Sequence, residues 1–131
     1  MVNEKRQEAQ AWLQKADNDL RSAQVDLAAE PPLIEDALFH CQQAAEKAMK
    51  AFLTAHDITF RKTHDLDELA SACEQIDVSL KDALNPARDL TVFAWEFRYP
   101  SSDEAPPEAE AHDSLLLAKS AVDGIRKRLW N

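Results

Sequence analysis

The residues of this 131-residue chain with the most chemical potential are cations and imidazoles in short, separate groups. His64 follows Arg61 and Lys62 and precedes Asp65, at a predicted helix start. Cations beside a helix N-terminus form a ready anion site, where a neutral imidazole can hydrogen-bond a phosphate or a ribose 2′-hydroxyl. The competing reading has His64 and Asp65 locking the linker through side-chain-to-backbone bonds. Lys47 and Lys50, with Gln43, share one face of a helix and can meet a phosphate as point charges. The alternative is a solvated face on which Lys47 bridges to Gln43. Gln42 and Glu46 lie one turn apart on the flank of that face, suited either to adenine or ribose recognition or to a half-buried hydrogen-bond network. Arg98 and Tyr99 stand just before Pro100. Arginine binds phosphate bidentately and tyrosine stacks on bases; otherwise Arg98 pairs with Glu46 or another buried acid and Tyr99 packs.

Other chemistries find little support. There is no Glu-x-x-His pair of the di-iron bundle type. Glu108 and His112 are four apart, but in the acidic start of the last helix, and Cys41 and Cys73 lack metal-site spacing. No metal and no cofactor is expected. His40 adjoins Cys41, and neighbours in a helix point ~100° apart. The single glycine, Gly124, excludes a glycine-rich phosphate loop. The net charge of −9 argues against a broad basic surface for nucleic acid. However, residues 101–113 hold five acids and no Lys or Arg, and setting that loop aside leaves −4. A local cationic pocket around Lys47, Arg61, Lys62 and Arg98 is compatible with that balance.

The elements that must position these groups are helical. One glycine in 131 residues argues against the many tight turns of a barrel or sandwich. Ala9, Trp12, Leu13, Ala16, Leu20, Ala23 and Leu27 form one helical stripe, ended by Pro31-Pro32. A second helix is predicted from about residue 33 to 56, with Ile34, Ala37, Leu38, Cys41, Ala45, Ala48 and Phe52 inward. The short connection makes the two antiparallel neighbours. Asp65 and Glu68 have capping-box spacing for a helix over 66–75. Asn85-Pro86 reads as an N-cap and first helical position, opening a helix that carries Ala87, Leu90, Ala94 and Phe97 inward and stops before Pro100. A last helix from near Pro107 buries Ala111, Leu115, Ala118, Val122, Ile125 and Leu129. No unbroken apolar run exceeds four residues, as in Leu115-Leu116-Leu117-Ala118, so no membrane span is expected. The mixed-charge start Met1-Val2-Asn3-Glu4-Lys5-Arg6 is not a signal peptide, and with the two unpaired cysteines it points to a cytoplasmic setting. The expected fold is all-α: residues 1–131 form one antiparallel up-and-down bundle of four to five helices.

Five pieces occur in order: Trp12-x-x-x-Ala16-x-x-Asp19-Leu20-x-x-Ala23; the block Phe39-His40-Cys41-Gln42-Gln43-Ala44-Ala45-Glu46-Lys47; Lys62-Thr63-His64-Asp65-Leu66; Arg98-Tyr99-Pro100; and an alanine-rich final helix. This set resembles the HEPN domain family, most of all its small stand-alone prokaryotic members, over residues 10–129. The resemblance implies a four- or five-helix bundle that dimerises, nucleotide binding, and pairing with a minimal nucleotidyltransferase encoded nearby, as a toxin–antitoxin couple. It also implies the metal-independent ribonuclease activity of many members, which carry an Arg, four to six residues, then a His. Here Arg61 and His64 have two residues between them and Arg98 has no His before His112, so neither pair matches.

The chain is therefore expected to be a non-catalytic, homodimeric module that engages a nucleotide, RNA or a nucleotidyltransferase. The enzymatic alternative is a variant ribonuclease using Arg98 with His64, and a third reading is a purely structural helical protein. The expected dimer face is the last helix with part of the fourth, because Phe93, Trp95 and Trp130 are large and not all needed inside.

Overall fold

The computed structural model describes residues 2–96 and 106–129. Arg98, Tyr99, Pro100, Trp130 and the first part of the acidic loop lie outside them, as does the predicted helix end at Phe97. Among the described residues there are five α-helices and no strands: α1 (Val2–Ala28), α2 (Ile34–Ala55), α3 (Leu66–Ile76), α4 (Lys81–Leu84) and α5 (Glu108–Leu129).

Helix α1 buries the predicted stripe, with Ala9, Leu13, Ala16, Ala23 and Leu27 inside and Trp12 and Leu20 half-buried. It runs against α2 through a short turn in which the Asp26 carbonyl accepts from Ala29 N at 3.3 Å and Leu33 N at 2.9 Å. Helix α2 is the axis of the bundle and packs against α1, α3, α5 and the segment before the acidic loop. From Ala44 onward only Lys47 and Ala55 escape full burial. Alanines at 44, 45, 48 and 51 give α2 small faces, so neighbouring helices approach closely without forcing side chains off their rotamers. Gln42, Glu46, Lys50 and Thr54 are buried with them, although α2 was expected to keep Lys50 on an outer polar face. Over its second half α2 is covered by neighbouring elements and has little solvent side to give its polar residues.

The end of α2 shows how a chain with one glycine turns. Asp57 N donates to Thr54 O at 3.0 Å and Ile58 N to Leu53 O at 2.9 Å, with Asp57 at φ 58°. These are the two bonds of a Schellman motif, and Asp57 holds the left-handed position usually given to glycine. Lys5 of α1 reaches the Asp57 carboxylate at 3.2 Å.

Asp65 caps α3 as predicted, its Oδ1 accepting from Asp67 N at 2.9 Å. The capping box is not completed. Glu68 turns outward to Arg61, and the Asp65 amide donates to Thr63 Oγ1. After a 3-10 turn (Val78–Leu80) and α4, the segment Asn85–Ala94 is a 3-10 helix rather than the α-helix expected. Three of its four buried residues, Ala87, Leu90 and Phe93, recur every third position, which matches three residues per turn, and Ala94 is buried as expected. Asn85 is already inside it and accepts from Arg88 Nε at 2.9 Å instead of capping. Phe93 is thereby drawn into the core, against its expected place on an outer face, while Trp95 stays exposed.

Gly124 serves close packing. A Cβ built there would sit 2.7 Å from the Ala83 Cβ of α4. Alanine ordinarily gains roughly 0.5–1 kcal/mol over glycine within a helix, but overpacking costs about 1–3 kcal/mol. Gly124→Ala is expected to destabilise the protein by about 1 kcal/mol in urea unfolding. A stabilised variant would show that α4 yields freely.

Candidate functional site

The site is built on α2 and closed by the linker before α3. Successive turns of α2 place Gln42, Glu46 and Lys50 in a row, and all three are buried. The Glu46 carboxylate is the hub. Its Oε1 accepts from Gln42 Nε2 at 3.1 Å and meets His64 Nδ1 at 2.8 Å, and Gln43 Nε2 stands at 3.5 Å. Its Oε2 accepts from Lys50 Nζ at 2.9 Å. Gln42 Nε2 also donates to the His64 carbonyl at 3.1 Å, so the linker is held by side chain and backbone together. Lys50 Nζ lies 5.6 Å from the Trp12 ring centre and 5.8 Å from that of Phe60, adding cation–π attraction from two rings. Those rings meet edge to face at 6.4 Å.

Burial alone would push the Glu46 carboxyl up, but hydrogen bonds from Lys50, His64 and Gln42 outweigh it and hold the group below its usual value. Against an ionised carboxylate, Nδ1 of His64 carries the proton and Nε2 is the remaining ring nitrogen. The His64 side chain is 62% exposed while that of Glu46 is 4% exposed. The arrangement is an imidazole oriented from inside the protein and open to solvent. Such a group can accept a proton or a hydrogen bond from a bound hydroxyl, or, when protonated, bind a phosphate.

The other sequence candidates fall elsewhere. Lys47 does not bridge to Gln43; its Nζ donates to Asp19 Oδ2 at 2.6 Å, in a second network with His40. Arg61 forms an exposed pair with Glu68 at 2.7 Å, and Lys62 is exposed. Asp65 is occupied as the α3 cap. Arg98 and Tyr99 are outside the described residues, so the expected convergence of Lys47, His64 and Arg98 reduces here to Lys47 and His64 in separate networks. Glu46 has a buried cation in Lys50, four residues along the same helix; the expected pairing of Arg98 with Glu46 or another buried acid falls outside the described residues. Trp12 reads from the sequence as a residue of the first helical stripe. No sequence signal marks Trp12 or Phe60 as neighbours of Lys50, because the contact arises from the packing of α1 and the linker against α2.

The HEPN domain family model matches residues 9–127. The chain belongs to the HEPN family. No curated protein and no solved structure gives a significant match. Within this HEPN bundle, the Gln-Gln-Ala-Ala-Glu-Lys run on α2 is the structural spine of the site: its glutamines and glutamate fasten the linker that carries His64.

Because its folded pKa is depressed, Glu46 contributes stability that is fully present above the unfolded carboxyl value near 4.5 and is lost as pH falls through the folded value. Glu46→Gln leaves Lys50 buried without its counter-charge, a change worth about 3 kcal/mol. Urea melts at neutral pH should show that loss, and the gap between wild type and variant should narrow below about pH 4. A gap independent of pH would mean that the charge of Glu46 is not what holds the network.

Proposed function

We propose that this HEPN chain binds a nucleotide or the end of a single-stranded RNA, with the base against Trp12 and Phe60 and a phosphate at His64, flanked by Arg61 and Lys62. The observation that carries this reading is one run of contacts. Trp12 and Phe60 lie over Lys50, Lys50 meets Glu46, and Glu46 holds the exposed His64 imidazole. A cleft of about 250 Å³ opens beside the rings, lined among others by Trp12, Thr54, Thr59 and Phe60. Small-ligand pockets usually begin near 300 Å³, so this one suits a single base rather than a whole nucleotide. Aromatic stacking tolerates any base, and an imidazole with neighbouring cations suits phosphate.

The proposal includes the family's usual setting: a homodimer, in the cytoplasm, paired with a minimal nucleotidyltransferase encoded nearby as a toxin–antitoxin couple. Exposed Trp95 and Leu116 are large apolar residues that a second copy or the partner can cover. Cys41 and Cys73, buried and unpaired, suit a reducing compartment; burial pushes each thiol up to about 12. Among the described residues no helix is long and apolar enough to cross a membrane.

Titration calorimetry with nucleotides and short single-stranded RNAs tests the reading. Binding in the micromolar range is expected, weakened at least tenfold by Trp12→Ala and by His64→Ala. Silence with every probe would leave the purely structural reading standing. The Glu46–His64 geometry also favours a second reading, a variant ribonuclease in which His64 takes the proton of a 2′-hydroxyl. Cleavage of RNA in the presence of a chelator, abolished by His64→Ala, would establish it, and intact RNA would remove it. Light scattering at micromolar concentration should return twice the 14.7 kDa chain mass; a monomer mass would sink the homodimer.

A further inference from the structure

A second polar cluster lies across the α1–α2 pair, built from Asp19 and Asp26 on α1 and Asp36 and His40 on α2. Asp26 is 8% exposed, and its Oδ2 is buried without a hydrogen-bond partner. A buried carboxylate oxygen left unmatched costs free energy, so the position favours a donor or a cation. Asp26, Asp36 and His40 line one cleft of about 250 Å³, with Arg21, Ser22 and Val25 on its rim. One ligand atom from each of the three lies within 4.8 Å of the other two.

We propose that Asp26, Asp36 and His40 bind a divalent transition-metal ion of zinc type, with Asp19 orienting the imidazole. This site stands apart from the Glu46 network and does not depend on the nucleotide reading. His40 is held as a ligating histidine should be. Its Nδ1 stands 2.8 Å from Asp19 Oδ1, while its Nε2 faces Asp36 Oδ2 at 3.4 Å. Metal-bound histidines commonly give their second N–H to a carboxylate, which fixes tautomer and ring plane. Two ligands at 2.0–2.1 Å from a tetrahedral ion stand about 3.3 Å apart, close to the separation of Nε2 and Oδ2. The Asp36 side chain is 56% exposed, so solvent reaches its carboxylate. The imidazole nitrogen selects zinc-like ions over magnesium or calcium. Three protein ligands leave a fourth position for water. Of the three carboxylates gathered here, Asp19 has Lys47 as a close cation at 2.6 Å, and a dication would offset the charge of the other two.

Zinc titrated into the full chain against a chromophoric chelator tests this, in a His112→Ala background that removes the exposed Glu108–His112 pair. One equivalent should bind. Asp26→Asn and His40→Ala should each weaken binding about 100-fold, Asp19→Asn should weaken it 10–100-fold, and excess magnesium should not compete. Binding unchanged in Asp26→Asn, or absent from the parent chain because Asp26 and Asp36 share a proton instead, overturns the proposal. Nitrogen NMR of the parent chain decides the matter even if a variant fails to fold. Zinc should shift His40 Nε2 and leave Nδ1 protonated, and an unmoved His40 signal refutes the site.

Discussion

The packing of the linker and the Trp12–Phe60 pair against α2 depends on one buried negative charge. The Glu46 carboxylate sits on the central helix, where desolvation penalises it, and it persists as a carboxylate because Lys50, His64 and Gln42 all donate to it. Removing one partner from such a group costs more than the pair itself contributes, since the remaining charge is left in a medium that solvates it poorly. The same carboxylate fastens three parts of the chain. It holds Lys50 under the aromatic rings of α1 and the linker, it pins the linker through His64, and it orders Gln42, which reaches back to the linker backbone. A polar network of this kind specifies geometry as well as stability, because each member is satisfied only when the others are in place.

The helical bundle makes that concentration of polar groups possible. Alanine-rich faces on α2 bring α1 and α5 close, which buries Gln42, Glu46, Lys50 and Thr54 and leaves them to find partners within the protein. Opposite-charge partners four residues apart, Glu46 and Lys50, satisfy each other within the helix. Partners on α1 serve those that face the other way, as Asp19 does for Lys47 and His40. Lys47 and Lys50, three residues apart, therefore end in two different networks. The scarcity of glycine shapes the ends rather than the middles: Asp57 takes the left-handed turn after α2, and the one glycine is kept for the tight contact of α4 with α5.

Much of the site was legible as residue types and little of it as partners. Gln42, Glu46 and His64 stood out as polar groups one turn apart beside a predicted core and an imidazole at a capped helix start, each with a structural reading beside the functional one. Their mutual contact was not legible, since it joins positions 18 and 22 residues apart through a linker of no regular periodicity. Trp12 was hidden by its own regularity, because a stripe residue that covers a lysine has the same spacing as one that covers a leucine. Asp36 and His40 are four apart at the start of α2, and Asp19 and Asp26 seven apart on α1; neither pairing reads as a site from the sequence. That the two pairs face each other became visible only when α1 and α2 were laid side by side.

The sequence by itself determined the all-α class, the antiparallel first hairpin, the cap of α3 and the HEPN family, because these rest on local spacing and on blocks of consecutive residues. Tertiary structure alone decided which polar residues are buried, which cation answers which carboxylate, and that the segment from Asn85 to Ala94 winds as a 3-10 helix. The physical reason is the same in each case. Helical period sets the direction in which a side chain leaves its own helix. Desolvation and pairing depend on what stands opposite, and that is a property of the assembled bundle.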